Sequence, residues 1–304
     1  MEFRRVLLLP PLLLVGATLA GAQDCTSIGA WSNDFAMPAD SLRADLRRRA
    51  GSDTSCGAVL YGIGRLAYQT ERYEVAARAF RSATTVWPES AKVWDELGLA
   101  LLRTGDYAGC ETALRRALRL APRQREYYNH LGLTLLRQER YAEAAASYIA
   151  ALGLDPSYVE ARYNLGQVYD RQGSSEVALR EFRRALGDDP AFIPVRYALA
   201  ILLGRMKQYD EAVAHLDTAI ALDSEFLGAY VERGFIAARR DDYEGATRDF
   251  RHVLAADPNH ARARYGLGVT LALQRRWVAA QEQCDSLAAL DSLLAARLQR
   301  LITR

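Results

Sequence analysis

The chain has 304 residues, a formal net charge of +2, and charged residues making up 25% of its length. Only Lys92 and Lys207 are lysines, leaving 37 arginines. This skew matches a GC-rich coding sequence, and no basic block or aromatic–basic alternation argues for nucleic-acid binding. What remains is an ordinary soluble surface.

Arg4 and Arg5 precede the apolar run Val6–Ala20, and Ala20-Gly21-Ala22 supplies a small-x-small cleavage site. The pattern predicts a secretory signal peptide over residues 1–22, with the mature chain starting at Gln23. Pro10-Pro11 interrupts the run, which is too short for a comfortable membrane span, and no second apolar stretch occurs later in the chain. The expected product is exported and soluble, periplasmic or extracellular. Residues 23–56 hold Trp31, Phe35 and Met37, then a helix opening at Pro38-Ala39-Asp40, and are too short for an independent domain. They are expected to cap the amino-terminal end of the repeats that begin at Gly57. In an oxidising compartment Cys25 and Cys56 are expected to form a disulfide stapling this cap, contributing about 3 kcal/mol. Cys110 and Cys284 are expected to be buried free thiols.

From Gly57 to Leu294 the chain is seven blocks of 34 residues. One small column is Gly64, Gly98, Gly132, Gly166, Ala200, Gly234 and Gly268; a second, twelve residues on, is Ala76, Cys110, Ala144, Ala178, Ala212, Ala246 and Ala280. Between them run Tyr73, Tyr107, Tyr141, Tyr209, Tyr243 and Trp277, broken by Ser175, and prolines punctuate the block ends at 88, 122, 156, 190 and 258. Apolar residues fall at helical spacing in two runs per block, separated by a polar break, so each block predicts a helix–turn–helix pair. The small residues allow the two helices to approach, and the proline ends the second helix. A fixed period of this kind marks a solenoid, an all-α fold in which each unit packs on its neighbours.

The columns resemble the tetratricopeptide repeat family, most closely at Tyr163-Asn164-Leu165-Gly166 and Gly105-Asp106-Tyr107. The resemblance covers residues 57–294. It implies a right-handed superhelix, with the first helices lining a concave groove and the second helices outside. Two residues break the columns: Arg233 stands where six blocks hold Ile or Leu, and Asp188 stands in an otherwise apolar column, so each must be paired or reach solvent. Leu294, Leu298 and Leu301 then predict an amphipathic capping helix, whose end is residues 295–304.

No catalytic constellation emerges, and no enzyme activity, cofactor or metal is expected. His130, His215, His252 and His260 lack metal-ligand spacing, and the glycines follow the repeat rather than a phosphate loop. Two groove columns are candidate ligand contacts. Arg103, Arg137, Arg171, Arg205 and Arg239 offer one guanidinium per repeat, as a rail for carboxylates or as partners of the helix dipole. Tyr61, Tyr163, Tyr197 and Tyr265 offer flat amphipathic area, for a ligand or for packing. The lysine–asparagine clamp by which some family members grip a terminal carboxylate is absent: those places hold Tyr61 with Arg65, Glu96, and Glu126 with His130. The expected function is an exported scaffold binding a peptide or a partner's helix. The alternatives are a structural subunit of an envelope or secretion complex, and a binder of cell-wall glycan.

Overall fold

The computed structural model describes residues 56–303. The expected leader, most of the capping segment and Cys25, hence the expected disulfide, lie outside those residues. The described residues form fifteen α-helices and no strand, and they fall into two compact units divided between Pro156 and Ser157.

The first unit stacks three helical hairpins: α1 (Cys56–Gln69) with α2 (Tyr73–Val86), α3 (Ala91–Thr104) with α4 (Tyr107–Leu120), and α5 (Arg125–Arg137) with α6 (Tyr141–Leu154). The second stacks four: α7 (Val159–Arg171) with α8 (Ser175–Asp188), α9 (Ile193–Arg205) with α10 (Tyr209–Leu222), α11 (Leu227–Arg239) with α12 (Tyr243–Ala256), and α13 (Ala261–Leu273) with α14 (Trp277–Ala288). The terminal helix α15 (Ser292–Ile302) packs on α13 and α14.

The small columns account for the packing. All seven residues of the second column, Ala76 through Ala280, have no exposed surface. In the first column a methyl group added at Gly132 would lie 2.7 Å from the Tyr148 ring, and at Gly98 2.8 Å from Leu114, each in the second helix of the same hairpin. A side chain there would push the two helices apart. The last hairpin departs from this rule. Cys284 stands where Phe80, Leu114, Tyr148, Phe182 and Phe250 fill the space, and Leu298 of α15 takes the place over Gly268 instead. Both Cys110 and Cys284 are buried and free, and burial pushes the Cys110 thiol up to about 11.

Each hairpin turn holds one residue in the left-handed region, always at the fifteenth place of its block. Gly105 and Gly173 are glycines, but Glu71, Glu139, Lys207, Asp241 and Arg275 adopt φ near 60° with a side chain. Such a residue costs roughly 1 kcal/mol, so packing of the helices imposes the turn on five sequences that do not favour it.

The apolar column that Asp188 breaks is an edge rather than a core. Val86, Leu154, Leu222 and Leu290 are between 38% and 47% exposed. Asp188, the last residue of α8, therefore needs no burial, and it accepts a 3.0 Å bond from Nε of Arg162.

Candidate functional site

Within each unit, the first helices of successive hairpins are joined by polar pairs spaced 35 residues apart, one more than the period. Tyr61 of α1 donates to Glu96 of α3 at 3.1 Å, and Arg65 reaches the same carboxylate at 3.5 Å. Asp95 of α3 lies 2.7 Å from Nδ1 of His130 on α5. In the second unit Tyr197 of α9 donates to Glu232 of α11 at 3.3 Å, and Glu232 is also paired with Arg262 of α13. Neighbouring helices advance by one residue along this face, so a group at the fifth place of one block meets the sixth place of the next.

These groups are held rather than free. Asp95 and Asn129 are buried, and the Glu96 and Glu232 side chains are only 16% and 14% exposed. Burial works against the charge of Arg262, yet its bond to Glu232 lifts the guanidinium above its ordinary value. The acids are thus fixed in position, and Glu96 and Glu232 are each paired with an arginine, which suits recognition by shape and hydrogen bonding more than by net charge.

The tyrosine column lies within this arrangement. Tyr61 packs 5.7 Å from Phe80 and carries the ammonium of Lys92 5.5 Å from its ring centre. Tyr163 sits between Phe182 and Phe192, at 6.1 and 6.0 Å, and accepts a bond from Gln167. Tyr197 meets Phe226 edge-on at 5.1 Å. Burial raises the hydroxyls of Tyr163 and Tyr197 above the ordinary tyrosine value. Tyr265 packs beside the cluster of Cys284, Leu287 and Leu298. Each of the four tyrosines is half-buried.

The arginine column is placed differently. All five stand in the last turn of a first helix, where the helix dipole favours a cation. Arg103 stacks 4.4 Å from the Tyr73 ring of the preceding hairpin and bonds its hydroxyl. Arg205 pairs with Asp170 of the preceding first helix. Arg137, Arg171 and Arg239 have no hydrogen-bond or ion-pair partner among the described residues.

A model of the tetratricopeptide repeat matches residues 61–125, 96–157, 129–191, 197–246 and 236–295. The chain belongs to the tetratricopeptide repeat family. No curated protein sequence matches it. Among solved tetratricopeptide repeat structures, it is similar to YrrB, described as having an unusual peptide-binding site: identity is 26%, covering 62% of this chain and 99% of that one, with a TM-score of 0.51. The pilF protein of Pseudomonas aeruginosa shares 20% identity over 68% of this chain and 94% of its own, with a TM-score of 0.58. A tetratricopeptide repeat protein from Parabacteroides merdae shares 16% over 82% and 99%, with a TM-score of 0.63. The last two likenesses are of fold alone.

The polar pairs along the first helices escape a reading by column, because a column is spaced by 34 and the pairs by 35. Searching for complementary residues one step beyond the period would have found Tyr61 with Glu96, Asp95 with His130, and Tyr197 with Glu232. Among the described residues no cluster of side chains is arranged to hold a metal, and no helix is long and apolar enough to cross a membrane.

Proposed function

We propose that this protein is an exported, non-enzymatic interaction scaffold, holding an extended peptide or a partner's helix along the faces of its first helices. The observation that carries this reading is that half-buried tyrosines stand on the first helices of each unit, Tyr61 in the first and Tyr163, Tyr197 and Tyr265 in the second, with Tyr61 and Tyr197 bonding acids of the next hairpin. Within each unit they offer flat aromatic area at low entropic cost, beside polar groups already held in place. The peptide-binding site reported for YrrB supports it by similarity. Arg137, Arg171 and Arg239, without a hydrogen-bond or ion-pair partner among the described residues, end three of the first helices and supply guanidinium groups for carboxylates of the partner. Export rests on the expected leader at residues 1–22.

The test is affinity capture from an envelope extract with residues 23–304. It runs beside one variant with all five column arginines changed to Gln and another with Tyr163 and Tyr197 changed to Ala. A protein retained by the parent and lost by either variant supports the scaffold and names its partner. Identical captures by all three would overturn the first-helix face as the binding surface. Amino-terminal sequencing of the envelope fraction checks export, with Gln23 as the expected first residue.

A further inference from the structure

The sixth hairpin departs from its siblings in the seam that it shares with the fifth. In four of the other six blocks the seventh and eleventh places are a pair of buried leucines: Leu97 with Leu101, Leu131 with Leu135, Leu199 with Leu203, and Leu267 with Leu271, none more than 8% exposed. Here the pair is Arg233 and Ala237. The two leucines of the seam are replaced by a charged residue and a small one, and a cavity of about 480 Å³ lined by α10, α11 and α12 lies beside them. That is within the usual size range of small-molecule sites.

Its lining divides by chemistry. Val213 and Ala237 form an apolar wall, and the Arg233–Asp249 pair forms a charged base. Arg240 and Arg248 stand at the rim. The lining acids are engaged: Asp249 takes two bonds from Arg233, Asp217 takes a third, and Asp242 accepts from the Gly245 amide. The rim guanidinium groups are not. Arg248 has no partner among the described residues, and Arg240 meets only Asp210, whose side chain is 91% exposed. A pair so exposed is weak and readily displaced.

We propose that this cavity binds a small organic anion, with Arg240 and Arg248 taking its carboxylate or phosphate and Val213 and Ala237 taking its apolar part. Planar guanidinium forks suit either group through paired hydrogen bonds. None of the lining residues belongs to the Tyr197–Glu232–Arg262 group on the first helices of the same unit.

The test is a methyl and amide NMR titration of the full chain with benzoate, phenyl phosphate and inorganic phosphate. Saturable shifts at the Val213 and Ala237 methyls with benzoate or phenyl phosphate are expected, and the stronger of the two identifies the anionic group. Inorganic phosphate should bind more weakly for want of an apolar part. The double variant Arg240→Gln, Arg248→Gln changes only rim side chains and should weaken binding about tenfold or more. Ala237→Leu restores the leucine of the other hairpins and should abolish binding while keeping the folded spectrum. Absence of saturable shifts with both organic probes would overturn the proposal, as would unchanged affinity in either variant.

Discussion

Arg233 grips Asp249 with two bonds, Nε to one carboxylate oxygen at 2.8 Å and Nη2 to the other at 2.7 Å, while Nη1 reaches Asp217 at 2.6 Å. The Asp249 side chain is only 7% exposed. The bonds to Asp249 raise the guanidinium well above its ordinary value and outweigh burial. Leucine stands at the place of Arg233 in most hairpins, and alanine at that of Asp249 in the first two (Ala79, Ala113). The pair therefore replaces an apolar contact by an ionic one. Arg233→Leu alone leaves Asp249 buried without its partner and should cost about 3 kcal/mol. Combined with Asp249→Ala, the cost should fall to near zero or reverse, giving a coupling of a few kcal/mol by urea denaturation. Additive effects would mean that the pair is not coupled.

The hydroxyl of Tyr148 is buried and has no hydrogen-bond partner among the described residues, and burial raises it well above the ordinary tyrosine value. Phenylalanine fills the same place at Phe80, Phe182 and Phe250. Tyr148→Phe should stabilise the protein by about 1 kcal/mol, read as a higher denaturation midpoint. A loss of stability would point to a water or other partner on that oxygen.

Two glycines with open space around them should respond in opposite directions. Gly105 has φ of 84° and Gly153 is inside α6, and neither would bring an added methyl within 4 Å of another atom. Gly105→Ala forces a side chain into the left-handed region and should cost about 1 kcal/mol. Gly153→Ala should add up to about 1 kcal/mol of helix stability. Thermal melts of the two variants check the signs, and Lys207→Gly should shift the melt upward with Gly153→Ala by relieving its turn.

Burial holds the His215 imidazole below its ordinary value, helped by the nearby charge of Arg196. The folded state resists protonation that the unfolded chain accepts, so this residue's contribution is complete above the unfolded value near pH 6.5 and is lost as the pH falls below it. Stability should decline as the pH falls below about 6.5, and His215→Gln should flatten that part of the profile. Parallel profiles for parent and variant would remove His215 as a source of the slope.

The fold was legible because its determinants are residue types at fixed intervals: Gly132 opposite Tyr148, or Ala76 with no exposed surface, is a packing rule repeated until it stands out. The all-α class and the paired helices follow from that repetition. The surface was less legible. The tyrosines and arginines stand in columns, but their partners do not, because Tyr61 meets Glu96 one step off the period and Arg205 meets Asp170 likewise. The cavity was harder still. Arg233 is conspicuous as a broken column, yet it opens a space only because Ala237 is small and Val213 comes from another helix. That conjunction of three helices is visible only once they are packed.

Leu298 is fully buried and occupies, over Gly268, the place that a second-helix side chain takes in the other hairpins. Cys284 meanwhile lies within 3.3 Å of the Ala295 carbonyl, closing the contact from the other side. The consequence concerns polymerisation. A repeat array presents at each open end a template on which another molecule can continue the stack, and α15 already sits on that template. A second molecule could extend the series here only by displacing a docked helix whose leucine alone is worth about 3 kcal/mol. Filaments growing from this end are therefore disfavoured, and Leu298→Ala is the substitution that would first make them appear.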